Sequence, residues 1–284
     1  MPEFLNKTMI TEDDFTLLNC IGRGAFGCVY QICLKNNPKV VFALKVQKKC
    51  EILSQNVANQ VKNEASIQVT FQYKHVFITC WQSRTKLFTL MQCSGGYGDL
   101  RNLWEDFGPF KSSLIRIYAA EIAIALDYCH RNSVIYRDLK LENVTLTVDG
   151  HIQITDFGFA KRLADDDRTT TICGTLQYMA PEVAFGQPYS KYIDWWCFGV
   201  LLHVLHTGHY PYPNSEAKSH SDLGTTLICN FIIFFKVFQL LDVNLAKRIC
   251  SYNAVRDHSF FRLFEWDVVA IRKVRTSKVF VCHL

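Results

Sequence analysis

None of the twelve cysteines forms a Cys-x-x-Cys pair. That argues against a cysteine metal cage and, in a chain of 284 residues, against a disulfide scaffold. Scattered reduced thiols fit better, and the expected compartment is the cytosol or nucleus. Charge of one sign is also scarce: 31 basic and 26 acidic residues leave a net +5, with the basic residues spread rather than clustered. So mild an excess gives no argument for nucleic acid as a partner. The N-terminus has no basic-then-apolar leader and no glycine at position 2 to carry myristate. Internal repeats and low-complexity tracts are missing as well. The uncharged run from Leu223 to Phe235 has 13 residues, short of the roughly 20 that span a bilayer. It reads as a core helix, and no transmembrane segment is expected. What the chain does have is apolar material, at 49% of residues, enough for one large domain or two lobes.

The stretch that organises the rest is residues 136–158, YRDLKLENVTLTVDGHIQITDFG. Two β-rich runs, Val144 to Val148 and His151 to Thr155, flank Asp149-Gly150, a hairpin turn signal. The hairpin spaces two polar loops. The first carries Asp138, Lys140 and Asn143, and the second carries Asp156. A carboxylate to orient a hydroxyl, a lysine for developing phosphate charge, and an Asn with an Asp to hold Mg²⁺ are the parts of a phosphoryl-transfer site.

Upstream, Ile21 to Tyr30 reads IGRGAFGCVY. Its three glycines let backbone N–H groups approach phosphates. A dinucleotide fold would open a helix after such a loop, whereas Cys28 to Leu34 continues as a β-rich run. Val40 to Val46 is the next strand, and Lys45 interrupts its apolar pattern. Lys45 needs a carboxylate to fix it; Glu64 follows 19 residues later in a helical stretch, and Glu51 is the rival. Residues 75–92 read as two strands joined at Ser83-Arg84. Ser112 to His130 is strongly helical, and Tyr189 to Tyr212 reads as a buried helix around Asp194.

At these residues the chain resembles the eukaryotic protein kinases. Tyr136-Arg137-Asp138 followed by LKLEN is similar to the AGC group, which includes protein kinase A, protein kinase B and the ribosomal S6 kinases. The resemblance implies an α+β, two-lobed fold, with a small β-rich N-lobe carrying helix C and a larger, mainly α-helical C-lobe. The kinase domain is expected over 15–273, with the N-lobe to about residue 92, a hinge to about 99 and the C-lobe beyond, followed by a tail at 274–284. It implies protein Ser/Thr kinase activity with ATP and Mg²⁺. ATP contacts are assigned to Ile21, Gly22, Gly24, Gly27, Val29, Ala43, Lys45, Glu64, Met91 and Asp99. Asp138 and Lys140 are the catalytic pair, while Asn143 and Asp156 are the metal ligands. LKLEN resembles the Ser/Thr class, and the large Phe159 after DFG favours serine over threonine as acceptor.

Further expectations come from the same resemblance. Thr171 is the activation-segment phosphorylation site, served by an upstream kinase, with Arg137 and Lys161 drawn to its phosphate; Arg137 has no other evident partner in the sequence. Thr175 meets Asp138 and Lys140. Glu182 pairs with Arg248, and Asp194 braces the catalytic loop. Asp99 and Glu142 match two positions that read substrate arginines, while Val204 replaces a third. Protein substrates with arginine three residues before the acceptor are therefore expected. The pattern departs from the family at Leu176-Gln177, in place of Pro-Glu, and most of all over 214–245, which keeps a catalytically impaired scaffold as the alternative. The group's FxxF tail motif does not occur in 274–284, so a partner supplies that contact or helix C is weakly held.

Overall fold

The computed structural model describes residues 11–24, 27–70, 77–93, 95–211 and 239–267. Two compact units divide between Gly95 and Gly96, within the glycine-rich stretch read as a hinge.

The first unit is built on a five-stranded antiparallel sheet. In chain order its strands are β1 (Phe15–Gly24), β2 (Gly27–Leu34), β3 (Val41–Lys48), β4 (Phe77–Gln82) and β5 (Lys86–Gln92), arranged β1-β2-β3-β5-β4. Side chains on paired strands share a face every second residue. The register sets Ile32 opposite Phe42, Leu44 opposite Leu90 and Val46 opposite Phe88. Together with Phe15 and Leu34 these apolar side chains make the unit's core. Trp81 from β4 stacks on Phe88 with ring centres 5.2 Å apart, closing one side of that core. Two helices follow β3: α1 (Lys49–Ser54) and α2 (Ala58–Thr70). The strand after the glycine loop is thus observed, and no helix opens there.

The second unit is mainly helical. β6 (Gly95–Asp99) starts at the division, and α3 (Leu100–Phe107) and α4 (Ser112–Arg131) follow. α4 packs against α6 (Tyr192–Thr207), whose residues from Ile193 to Leu205 are all buried. A helix apolar all round belongs in a core. It is shorter than the expected span of 189–212. Pro188 precedes its start, while Gly208 and Pro211 stop it, so Tyr189 lies outside the helix. The hairpin is present as β8 (Val144–Thr147) and β9 (Ile152–Ile154), with Val144 opposite Ile154 and Leu146 opposite Ile152. It is fixed to α4 by Glu121, whose carboxylate lies 2.5 Å from His151 Nδ1 and accepts from Ile152 N at 2.8 Å. The short β7 (Val134–Ile135) pairs with β10 (Lys161–Arg162), bracketing the loops on either side of the hairpin. α5 (Pro181–Ala184) and α7 (Tyr252–Arg256) complete the described helices. No helix among the described residues is long and apolar enough to cross a membrane. The run from Leu223 to Phe235, expected as a core helix, lies outside the described residues.

Candidate active site

In the first unit, strand parity gathers the nucleotide-side candidates. Val29 stands opposite Lys45, and Ala43 opposite Met91. All four therefore occupy the sheet face away from the Phe42–Leu44–Phe88 core. Lys45 Nζ lies 2.5 Å from Glu64 Oε1, with side-chain exposures of 21% and 8%. The rival carboxylate, Glu51, binds Lys48 instead at 2.8 Å. The glycines differ from one another. A Cβ on Gly27 would sit 1.9 Å from the carbonyl oxygen of Val46, so β2 can lie on β3 only with glycine there. A Cβ on Gly22 or Gly24 would meet its nearest neighbour at 3.6 or 3.9 Å, ordinary contact distances. Among the described residues, packing does not require glycine at 22 or 24. Ile21, beside them on β1, is 52% exposed.

In the second unit, the loop at 136–143 is held from behind by Asp194. This carboxylate, 0% exposed, accepts from Tyr136 N at 2.9 Å and Arg137 N at 2.8 Å, and lies 2.8 Å from His130 Nε2. A buried carboxylate needs such donors. With them it supports the left-handed backbone of Arg137 (φ 69°), a conformation costly for a residue with a Cβ.

Asp138, almost fully buried, is ringed by donors. Thr175 Oγ1 donates to its Oδ1 at 2.7 Å, Asn143 Nδ2 donates to Oδ2 at 2.9 Å, and Lys140 Nζ approaches Oδ2 at 3.1 Å. Lys140 also donates to Thr175 Oγ1 at 2.9 Å. Thr175 is delivered by Gly174, whose φ of 101° and whose missing Cβ, which would lie 2.6 Å from Arg137 O, bring the two backbones together. The result is a carboxylate of fixed rotamer beside a cation, an arrangement that can orient a hydroxyl and offset charge gathering on a neighbouring group.

Asn143 and Asp156 are linked through the Thr155 N to Asn143 O bond at 2.9 Å. Both side-chain hydrogen bonds of Asn143 use Nδ2, which leaves the amide oxygen as a hard donor. Asp156 is exposed and takes φ 53°. An amide oxygen and a carboxylate suit Mg²⁺. Among the described residues no three His, Cys, Asp or Glu side chains gather as a metal cage, so these two fit the ion only in company with other donors such as phosphate oxygens.

Around the activation segment, Arg137 departs from the expectation. Arg137 is not without partners. Its Nε donates to Phe159 O at 2.7 Å and its Nη1 to the Tyr189 hydroxyl at 3.2 Å. Lys161 Nζ donates to Thr169 Oγ1 at 3.0 Å, two residues short of Thr171, and Thr171 itself is exposed. Asp99 caps α3: its two carboxylate oxygens accept from Asn102 N at 2.9 Å and Asn102 Nδ2 at 2.8 Å. Glu142 is exposed. Burial, the main cause, together with Asp156 and Asp138, pushes the Tyr136 phenol well above its ordinary pKa, so it remains a donor to Thr155 O. Burial also raises the Cys173 thiol, with Arg137 pulling the other way. The Glu182–Arg248 pair is present and bidentate, at 2.6 and 3.1 Å. What the sequence did not show was the role of Tyr189, whose hydroxyl faces two segments far from it in the chain.

Comparison with known proteins gives a consistent answer. Residues 15–256 match the protein kinase domain family. A candidate serine/threonine-protein kinase of Caenorhabditis elegans is 45% identical over 94% of this chain and 63% of its own length. The ribosomal protein S6 kinase-related protein of Homo sapiens is 34% identical over 96% of this chain and 68% of its own. A RAC family serine/threonine-protein kinase homolog of Dictyostelium discoideum is 36% identical over 89% and 59%. The chain thus spans about three fifths of the length of these curated relatives.

Proposed function

This chain belongs to the protein kinase family, and from that premise we propose that it transfers the γ-phosphate of ATP to serine or threonine hydroxyls of protein substrates. The observation that carries the reading is the set of donors around Asp138: Thr175, Asn143 and Lys140 together. A carboxylate so engaged is a poor strong base but a good orienting group. It accepts the substrate hydroxyl and aims its oxygen at phosphorus, and most of the gain comes from positioning. Lys140 offsets negative charge on the moving phosphoryl group. ATP phosphates are assigned to the backbone at Gly22, Gly24 and Gly27 and to Lys45, which Glu64 holds in place; Ile21, Val29, Ala43 and Met91 are assigned to the adenine, and Asp99 to the ribose. Mg²⁺, when bound, neutralises phosphate charge, and Asn143 with Asp156 would hold it.

The finer parts of the reading rest on residue pattern. Phe159 favours serine as the acceptor. Glu142, exposed and acidic, together with Asp99, is proposed to read an arginine three residues upstream. Thr171 is the proposed target of an upstream kinase, its phosphate adding to the existing contacts of Arg137. A compartment that keeps thiols reduced, the cytosol or nucleus, suits the cysteine pattern.

The test is transfer from Mg-ATP to a serine peptide with arginine three residues upstream, against a matched alanine peptide. The expected result is phosphoserine, with roughly tenfold higher kcat/KM for the arginine peptide, the size of one well-placed charge contact. No transfer from Thr171-phosphorylated protein that still binds Mg-ATP would replace this reading with that of a kinase-fold scaffold.

A further inference from the structure

Tyr189 stands before α6 with no exposed surface. Its hydroxyl donates to the carbonyl of Thr171 at 2.5 Å and accepts from Arg137 Nη1 at 3.2 Å. Its backbone exchanges two bonds with Thr169, at 3.0 and 2.9 Å. Arg137 in turn reaches Phe159 O through Nε and the Asp194 carboxylate through its backbone N–H. One phenol therefore joins the segment after DFG, the residue beside Asp138 and the stretch that leads to Thr175.

From these contacts we propose that the Tyr189 hydroxyl is a positioning residue that holds the activation segment against the catalytic loop before Thr171 is phosphorylated, and that it shares Arg137 with the Thr171 phosphate. The geometry from Thr171 to Thr175 explains why. At the far end, Gly174 lies so close to Arg137 O that no Cβ fits. At the near end, the Tyr189 hydroxyl reaches Thr171 O, while the Thr169 and Thr171 hydroxyls are 3.4 Å apart and Cys173 Sγ lies 4.0 Å from the phenol. Two anchors set where Thr175 meets Asp138, and the phenol supplies the first. Burial raises its pKa to about 12, with Arg137 pulling it down, so the hydroxyl keeps its proton and its donor role at physiological pH.

Arg137 has five N–H donors. Two of them, on Nε and Nη1, hold Phe159 O and the phenol, and the others can donate to a phosphate on Thr171. Phenol and phosphate then anchor the same point of the segment by independent contacts, so loss of one is masked by the other. On this view phosphorylation strengthens an order that already exists.

This inference rests on the kinase reading for its effect on turnover, but not for its effect on order. Hydrogen exchange over residues 171–175 and peptide turnover are therefore measured together on the full chain, for wild type and Tyr189→Phe, each with and without phosphate on Thr171. Without phosphate, Tyr189→Phe should raise exchange about tenfold and lower kcat by a similar factor, the size of one buried hydrogen bond, with KM for ATP unchanged. With phosphate, both should return to within about twofold of wild type. Arg137→Gln, which removes the charge but leaves the phenol bonded to Thr171, should keep near-wild-type exchange without phosphate and gain nothing from phosphorylation. Unchanged exchange in Tyr189→Phe overturns the proposal. So does a loss that phosphate fails to reduce, or a gain that survives Arg137→Gln. If wild type transfers nothing, the kinase reading fails while exchange still decides the role of Tyr189.

Discussion

Lys45–Glu64 in the first unit and Arg248–Glu182 in the second both join a cation to a helix-borne carboxylate, yet their surroundings differ. The Arg248 side chain is 0% exposed. It grips Glu182 with two nitrogens, gives Nε to Asp242 O at 2.7 Å, and lies 4.7 Å from the Trp196 ring centre. The guanidinium is thus used on its edge and its face. Lys45 meets Glu64 through a compact ammonium on a flexible stem, with 21% of the side chain exposed. An ammonium with three donors can serve a second anion while holding the first. The same charge pairing is thus sealed in the second unit and stays open in the first.

The comparison breaks most visibly at the sealed pair. Arg248→Met should cost about 3–5 kcal/mol in denaturant unfolding, because Glu182 is left buried without its cation. Adding Glu182→Leu should recover most of that loss. A single-variant cost under about 1 kcal/mol would remove the distinction. At the open pair the effect should fall on rate. Lys45→Met should lower phosphate transfer by roughly 10²–10³-fold, as loss of one preorganised charge donor does, while stability moves by no more than about 1 kcal/mol. If instead the variant unfolds like Arg248→Met, Lys45 belongs to the architecture.

A third buried carboxylate sharpens the contrast. Glu121 serves His151 and Ile152 N on the hairpin, so Glu121→Ala should destabilise by about 1–3 kcal/mol through the stranded donors and leave KM for ATP unaltered. The smallest effect comes from His203, a buried ring with Nδ1 2.7 Å from His209 O. Burial lowers its pKa below the ordinary 6.5. The unfolded chain then binds this proton more readily than the folded one, so the contribution to stability is complete above pH 6.5 and is lost progressively as pH falls from there through the lower folded-state pKa. The melting temperature should decline in that direction, and His203→Asn should flatten the decline.

Much of this arrangement was legible in the sequence where a residue type is demanded by its task. Lys45 interrupting an apolar strand, Glu64 on the following helix and the buried Glu182 each announce a need for a partner, and the Lys45–Glu64 and Glu182–Arg248 contacts are present. Strand parity was legible too, since a period of two fixes which side of β3 carries Lys45. Helix ends were less so: apolar character runs past Thr207, and only the local turn chemistry at Gly208 stops α6. Arg137 was misread as lacking a partner because its contacts are a backbone carbonyl and a phenol. A tyrosine that binds a carbonyl 18 residues away leaves no periodicity, charge pattern or motif to find. The same holds for Glu121 and His151, whose meeting depends on how the hairpin lies on α4.

The most direct measurement is single-turnover phosphate transfer by Asp138→Asn at saturating Mg-ATP, with nucleotide affinity measured on the same protein. Asn keeps the shape but cannot hold a substrate hydroxyl proton as the carboxylate does. The account predicts a loss of about 10²–10⁴-fold in the transfer step with Mg-ATP affinity within about twofold of wild type. Transfer at the wild-type rate would contradict it, because the donors gathered on Asp138 would then be holding a structural carboxylate.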